Sequence, residues 1–178
     1  MKRLSLLRHA KSGWDDPVAR DFDRPLNERG RRAARTIGAE MRRLGLGFDA
    51  VRASPARRVV ETIAEVEAGF GNALAPEYEE RLYLASPATL LDVIRSAPDS
   101  ESLLIIGHNP GLEQLVLALT RRGGGLRSEV EVKYPTATLA EISLPIGRWA
   151  EAEEGGGALE RFIRPRDLDR ALGPDEPD

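Results

Sequence analysis

The chain contains only two histidines, and both have neighbours suited to chemistry. His9 directly follows Arg8, and His108 stands in Gly107-His108-Asn109-Pro110. A third basic cluster, Arg57-Arg58, follows Ser54-Pro55. Cations near an imidazole lower its pKa and favour the neutral form, which is the nucleophile. Neutral imidazole can attack phosphorus and form a covalent phosphohistidine. Phosphoryl transfer also requires charge on the equatorial oxygens to be neutralised, and planar arginine forks do this well. An isolated histidine is more often a surface or satisfied core residue. What points to chemistry is the joint placement of the two at the ends of expected strands.

The elements that must position these residues alternate. Leu4-Ser5-Leu6-Leu7 reads as a short buried strand. Residues 9–26 read as a loop, with Gly13, Asp15, Asp16, Pro17 and Pro25 as breakers. Asn27 is a good N-cap for a helix running to about Leu44, with Ala33, Ala34, Ile37, Met41 and Leu44 on its buried face. Residues 48–53 form a second strand, and Ser54-Pro55 is a cap-then-proline helix start, the helix running to about Ala68. A short strand is expected near 76–78, a helix from Pro87 to about Ser96, and a strand over 102–107. Asn109-Pro110 repeats the cap-then-proline signal and opens a helix ending near Leu119. Residues 121–128 read as a Gly-rich loop. Strands over 136–143 and 158–164 are expected to pair.

Such alternation predicts an α/β fold, a three-layer α/β/α sandwich with a mainly parallel central sheet. Ligands of such sheets bind beyond the carboxyl ends of the strands. Arg8-His9, Ser54 to Arg58 and Gly107-His108-Asn109 each follow a strand, so one sheet edge should collect them. Two expected helix N-termini would add unpaired N–H groups and positive dipole ends.

Composition removes other classes. The 178 residues carry 41% hydrophobic and 31% charged side chains, a soluble globular balance suited to one domain over 1–173. Residues 174–178 form an acidic tail, expected to fray. No apolar run approaches the ~20 residues of a membrane span. The apolar start is cut by Arg8 and His9, well short of a signal-peptide core of ~7–15 residues. Without cysteine there is no disulfide framework, Cys-zinc site or thiol nucleophile, and a reducing cytoplasm is the expected location. Residues 1–58 hold 15 basic and 7 acidic side chains, and the remainder 11 and 22. Arg29, Arg31, Arg32, Arg35, Arg42 and Arg43 crowd one helix and read as its solvated face. A net charge of −3 and 5% aromatic content argue against nucleic acid.

Four ordered segments carry a family resemblance. Leu6-Leu7-Arg8-His9-Ala10-Lys11-Ser12 resembles the R-H-G/A signature of the histidine phosphatase superfamily. Arg24-Pro25-Leu26-Asn27-Glu28-Arg29-Gly30 is similar to its P-L-T-x-x-G segment, with Asn27 in the threonine place. Ser54 to Thr62 resembles S-x-x-x-R-A-x-Q-T, with Arg58 on the catalytic arginine, Val59 for Ala and Glu61 for Gln. Gly107-His108-Asn109-Pro110-Gly111 resembles the second histidine motif. Together with Leu82-Tyr83-Leu84-Ala85-Ser86, this last segment resembles the SixA-type phosphohistidine phosphatases. The resemblance implies the phosphoglycerate mutase-like α/β sandwich, His9 as nucleophile, and Arg8, Arg58 and His108 binding and polarising the phosphoryl group.

Other assignments are weaker. Mutase-like members keep an acid between the arginine motif and the second histidine. Glu79, Glu80 and Asp92 lie there, and Glu80 is the candidate. Lys11 and Ser12 are candidate phosphate contacts because they follow His9, though a plain loop role serves equally. Asn27 and Asn109 are candidate substrate contacts that double as caps. Trp14 either walls the pocket or packs the loop, and Thr136 is placed to reach the site. No cofactor or metal is expected, since arginines supply the charge. The expected substrate is a phosphohistidine protein. Small phosphoesters such as sugar phosphates are the nearest alternative, and a non-catalytic phosphoprotein-binding module is the alternative from another class.

Overall fold

The computed structural model describes residues 1–14 and 20–174. The breakers Asp15, Asp16 and Pro17, and all of the acidic tail after Pro174, lie outside the described residues. Among the described residues the strands are β1 (Lys2–Arg8), β2 (Ala50–Ala53), β3 (Glu77–Tyr78), β4 (Ser102–Gly107), β5 (Leu139–Leu144) and β6 (Ala158–Ile163). They form one sheet in the order β3-β2-β4-β1-β5-β6. The pairs β2·β3, β2·β4 and β1·β4 are parallel, whereas β5 runs antiparallel to both β1 and β6. The expected mainly parallel sandwich is therefore present, with one reversed strand near an edge.

Alternation along the central strands feeds two cores. Leu4 and Leu6 of β1, with Leu103 and Ile105 of β4, pack under α3 (Pro87–Arg95) and α4 (Gly111–Leu119). Leu7, Leu104 and Ile106 point to the other face, under α1 (Glu28–Arg43) and α2 (Arg57–Phe70). This is the period-two geometry of a strand buried on both sides. Helix α1 starts where expected: Asn27 Oδ1 accepts from Gly30 N at 2.8 Å.

Several boundaries differ from expectation. Helix α2 begins at Arg57 with Ala56 at the N-cap and no side-chain cap, so Ser54 and Pro55 precede the helix. Pro110 occupies the N-cap of α4, and Asn109 Oδ1 accepts from Glu113 N at 3.2 Å, so the asparagine still caps from one residue earlier. The Gly-rich stretch yields to α5 (Gly125–Val132), whose single buried residue, Val130, gives too weak a periodic signal to read. Strand β5 starts at Leu139 rather than Thr136, because Thr136 and Ala137 form a turn and Ala137 has φ 55°.

Helices α1 and α2 touch through glycine. A Cβ on Gly38 would lie 2.1 Å from Val66 O, and one on Gly69 2.1 Å from Arg35 O. Both obstacles are backbone, so neither can yield without moving a helix. Gly38→Ala should therefore destabilise the fold by about 1–3 kcal/mol in urea unfolding. Gly47→Ala, where a Cβ meets nothing within 4 Å, should shift it by less than about 0.5 kcal/mol.

Candidate active site

Strand register brings the site together. Arg8 of β1 pairs with Gly107 of β4, and Ala53 of β2 with Ile106. His9 N then donates to Gly107 O at 3.1 Å, and Ser54 N to Ile106 O at 3.1 Å. Three strands thus end level, and His9, His108 and Ser54 leave the same sheet edge. The ring centroids of His9 and His108 are 5.2 Å apart. Thr62 locks the first loop to α2, accepting from Ala10 N at 2.9 Å while donating to Arg58 O at 2.6 Å. Gly30 lets α1 press on the same loop, since a Cβ there would lie 2.1 Å from Lys11 O.

Hydrogen bonds assign the imidazole tautomers. His9 Nδ1 lies 2.7 Å from Ala10 O, which can only accept, so Nδ1 carries the proton. Its Nε2 keeps its lone pair and lies 3.4 Å from Arg58 Nε. His108 places Nε2 2.7 Å from Ser54 Oγ and Nδ1 3.3 Å from Arg58 Nη2, a pattern satisfied by a neutral ring protonated on Nε2. Ser54, expected as a helix cap, is thus the partner of the second histidine.

Arg58 is the hub. Its side chain is 2% exposed. Besides the two imidazoles it meets Asp21: Nη1 donates to Asp21 O at 2.7 Å and Nη2 to Asp21 Oδ2 at 3.1 Å. Tyr83 Oη donates a short bond to the same Oδ2, and Arg24 Nε donates to Oδ1 at 3.2 Å. Arg8 is buried, and its Nη1 donates to Tyr134 O at 2.9 Å. Asn109 Nδ2 reaches the same carbonyl at 3.1 Å.

These groups surround a cavity of about 390 Å³ lined by Arg8, His9, Lys11, Ser12, Trp14, Asp21, Arg24, Arg58, Leu84, His108, Asn109 and Thr136. Most sequence-derived candidates are therefore gathered here, Thr136 and Trp14 included. Trp14 is exposed, with the Arg24 guanidinium 3.6 Å from its ring centroid, so it walls the cavity. Two candidates are elsewhere. Asn27 caps α1 and does not line the cavity. Glu80 is exposed, in a 3-10 turn outside the lining. Among the described residues the carboxylate in the cavity is instead Asp21, which sequence reasoning missed, together with Arg24 and Tyr83. The available signal was Asp21 three residues before Arg24, where the segment that carries the second motif begins.

Burial and charge hold both imidazoles neutral. His9 lies well below the ordinary imidazole pKa, first through burial, then through His108, Arg8 and Arg58, with the Ala10 bond opposing. His108 is lowered to about 3 by burial and by Arg58, with Asp21 opposing and Arg8 and Arg24 adding. Burial pulls Asp21 upward, but Tyr83, Arg58 and Arg24 outweigh it and hold the carboxyl below its usual range. The arrangement provides an unprotonated imidazole nitrogen facing a guanidinium-lined cavity, which suits attack on a bound phosphoryl group.

Comparison with known proteins agrees. The profile of the Histidine phosphatase superfamily (branch 1) matches residues 4–83. An uncharacterised protein of Mycobacterium tuberculosis is 36% identical over 90% of this chain and 100% of its own length. The candidate phosphohistidine phosphatase SixA of Nakamurella multipartitia superposes with TM-score 0.76 at 29% identity, covering 92% of this chain and 96% of that one. The corresponding Agrobacterium tumefaciens protein gives 0.75 at 27%, covering 91% and 97%. The chain belongs to the histidine phosphatase superfamily, and within it to the SixA type.

With only two histidines, imidazole nitrogen NMR tests the protonation states directly. His108 should stay neutral from pH 8 to 5, and His9 should be the Nδ1–H tautomer with a midpoint below the free-imidazole value near 6.5. The folded pKa of His108 is depressed, so its contribution to stability is complete above about pH 6.5 and is lost as pH falls toward 3. By pH 5 the loss from this one ring should be about 2 kcal/mol in urea unfolding.

Proposed function

We propose that the protein is a phosphohistidine phosphatase that works through a covalent phosphohistidine on His9. The observation that carries this reading is the pinned tautomer: Nδ1–H is held by Ala10 O, and Nε2 faces Arg58 inside the cavity. In the proposed first step the Nε2 lone pair attacks phosphorus and the leaving group departs. Arg8 and Arg58 neutralise the equatorial oxygens, and His108 polarises the group beside them. Ala10 O stabilises the positive charge that develops on the ring. Water then attacks phosphorus and releases the imidazole. Lys11, Ser12 and Asn109 border the substrate in this reading. The two SixA-type likenesses support phosphohistidine as substrate.

Small phosphoesters form a second reading, favoured by one observation. Asp21 puts into the cavity a carboxylate of the kind that an alkoxide leaving group needs. Turnover of a phosphohistidine protein, compared with phosphosugars and phosphoserine peptides under one set of conditions, separates the readings. The first predicts at least about tenfold higher kcat/KM on phosphohistidine, a difference of ~1.4 kcal/mol. Labelled substrate should trap an acid-labile, base-stable adduct, absent in His9→Ala together with turnover. Exhaustive chelation should change the rate by less than about twofold, because guanidinium groups take the part of a metal. Wild-type turnover in His9→Ala removes the mechanism.

Arg57 and Arg58 provide an internal contrast. Arg57 is exposed and pairs with Glu61 at 2.7 Å, one helical turn on. Arg58→Ala should lower the rate by about 10²–10³, the loss expected for a direct donor to transition-state charge. Arg57→Ala should cost less than about fivefold, as a rim charge. Lysine at position 58 should rescue only in part, because a point charge cannot span both imidazoles and the phosphoryl group. Equal losses in the two alanine variants would contradict this division.

A further inference from the structure

Asp21 occupies donors that a phosphoryl group needs. Arg58 spends Nη1 on Asp21 O, Nη2 on Asp21 Oδ2 and His108, and Nε on His9. One guanidinium therefore runs from the nucleophilic nitrogen to the carboxylate. A phosphoryl group seated on Nε2 must take over part of that fork. It then brings two negative charges beside Asp21 while drawing away the cation that kept the carboxylate ionised. Like charge and loss of the partner both favour protonation. Tyr83 Oη fixes Oδ2, and Arg24 holds Oδ1, so the carboxyl stays at the cavity wall. Its side chain is 38% exposed, open to substrate and to water.

Resting on the phosphoenzyme reading above, we propose that Asp21 is the proton-transferring carboxyl group of the reaction, in place of a residue from the segment around Glu80. With a phosphoester substrate, the His9 Nε2–P bond forms in the first half-reaction and the P–O bond to the leaving group breaks. The electron pair goes to that oxygen, and the Asp21 carboxyl proton follows it to give a neutral alcohol. In the second half, a water oxygen attacks phosphorus and its proton passes to the Asp21 carboxylate. The N–P electron pair returns to Nε2, and the Nδ1 proton stays on Nδ1, hydrogen-bonded to Ala10 O, throughout. Inorganic phosphate leaves, Arg58 recovers Asp21, and the carboxyl proton goes to solvent.

The test is the dependence on the leaving group. Phosphoenzyme formation is followed by rapid quench, within a single turnover, from p-nitrophenyl phosphate and from ethyl phosphate. The first leaving group departs without a proton and the second requires one. Asp21→Asn keeps an acceptor for Arg58 and Tyr83 but carries no acidic proton. It should slow the aryl substrate by up to about tenfold through the disturbed fork, and the alkyl substrate by at least a further ~30-fold, within the 10²–10⁴ that a general acid supplies. Asp21→Ala should show the same differential. The ratio between substrates cancels any loss of folded protein, so poor folding of either variant does not mask the result. Parallel losses on both substrates, or a differential that appears in Glu80→Gln instead, overturn the assignment. Absence of a phosphoenzyme in the wild-type protein overturns the nucleophile reading, and the role of Asp21 with it.

Discussion

Burying a guanidinium costs several kcal/mol unless its donors are met, and at Arg58 the surrounding structure meets them. Its side chain is 2% exposed, and its partners are His9, His108 and Asp21. Those partners come from the end of β1, the end of β4 and the turn before α1. The parallel register of β1 on β4 sets the two imidazoles side by side, and α2 delivers the guanidinium between them. Thr62, one turn further along α2, ties the backbone of Arg58 to the loop after His9. The same contacts that offset the buried charge therefore also order the reactive groups. Truncating Arg58 would leave two buried imidazoles and a carboxylate without their common donor.

The electrostatics follow from this centre. Cations and burial keep both histidines neutral, so in the proposed reaction the nucleophile is ready without a base to remove a proton. The cavity is strongly cationic, with Arg8, Lys11, Arg24 and Arg58 on its wall, and Asp21 is its internal counter-charge. In the proposed reaction an incoming phosphoryl group and Asp21 compete for one fork. That competition links binding to the protonation of the carboxyl, so proton delivery is set up by the substrate itself. Trp14 and Leu84 line the same cavity and are exposed, an apolar border to its cationic wall.

The sheet edge was legible in the sequence because strand periodicity is local. Leu4 to Leu7 and residues 102–107 read as buried strands, and His9 and His108 follow their ends. Arg58 was legible from its spacing after Ser54, even though Ser54 turned out to partner His108 rather than cap α2. Caps and ligands draw on the same polar residue types, so only the three-dimensional path separates them. Asp21 was not legible. Its contact with Arg58 spans 37 residues and that with Tyr83 62, and it stands in a loop that no periodicity constrains. Glu80 stands in the segment where a family acid is expected, but it lies in a 3-10 turn and is exposed to solvent. Helix α5 was hidden behind three consecutive glycines, where local propensity favours a loop.

The central claim is that one nitrogen, His9 Nε2, accepts the phosphoryl group because Nδ1 is committed to Ala10 O. Phosphorus and nitrogen NMR of the trapped adduct, on protein labelled with nitrogen-15 in its two histidines, reads that atom directly. The account predicts a single phosphorus–nitrogen coupling, to Nε2 of His9, with the His108 ring unmodified. A phosphoryl group on Nδ1 of His9, or on either nitrogen of His108, would contradict it.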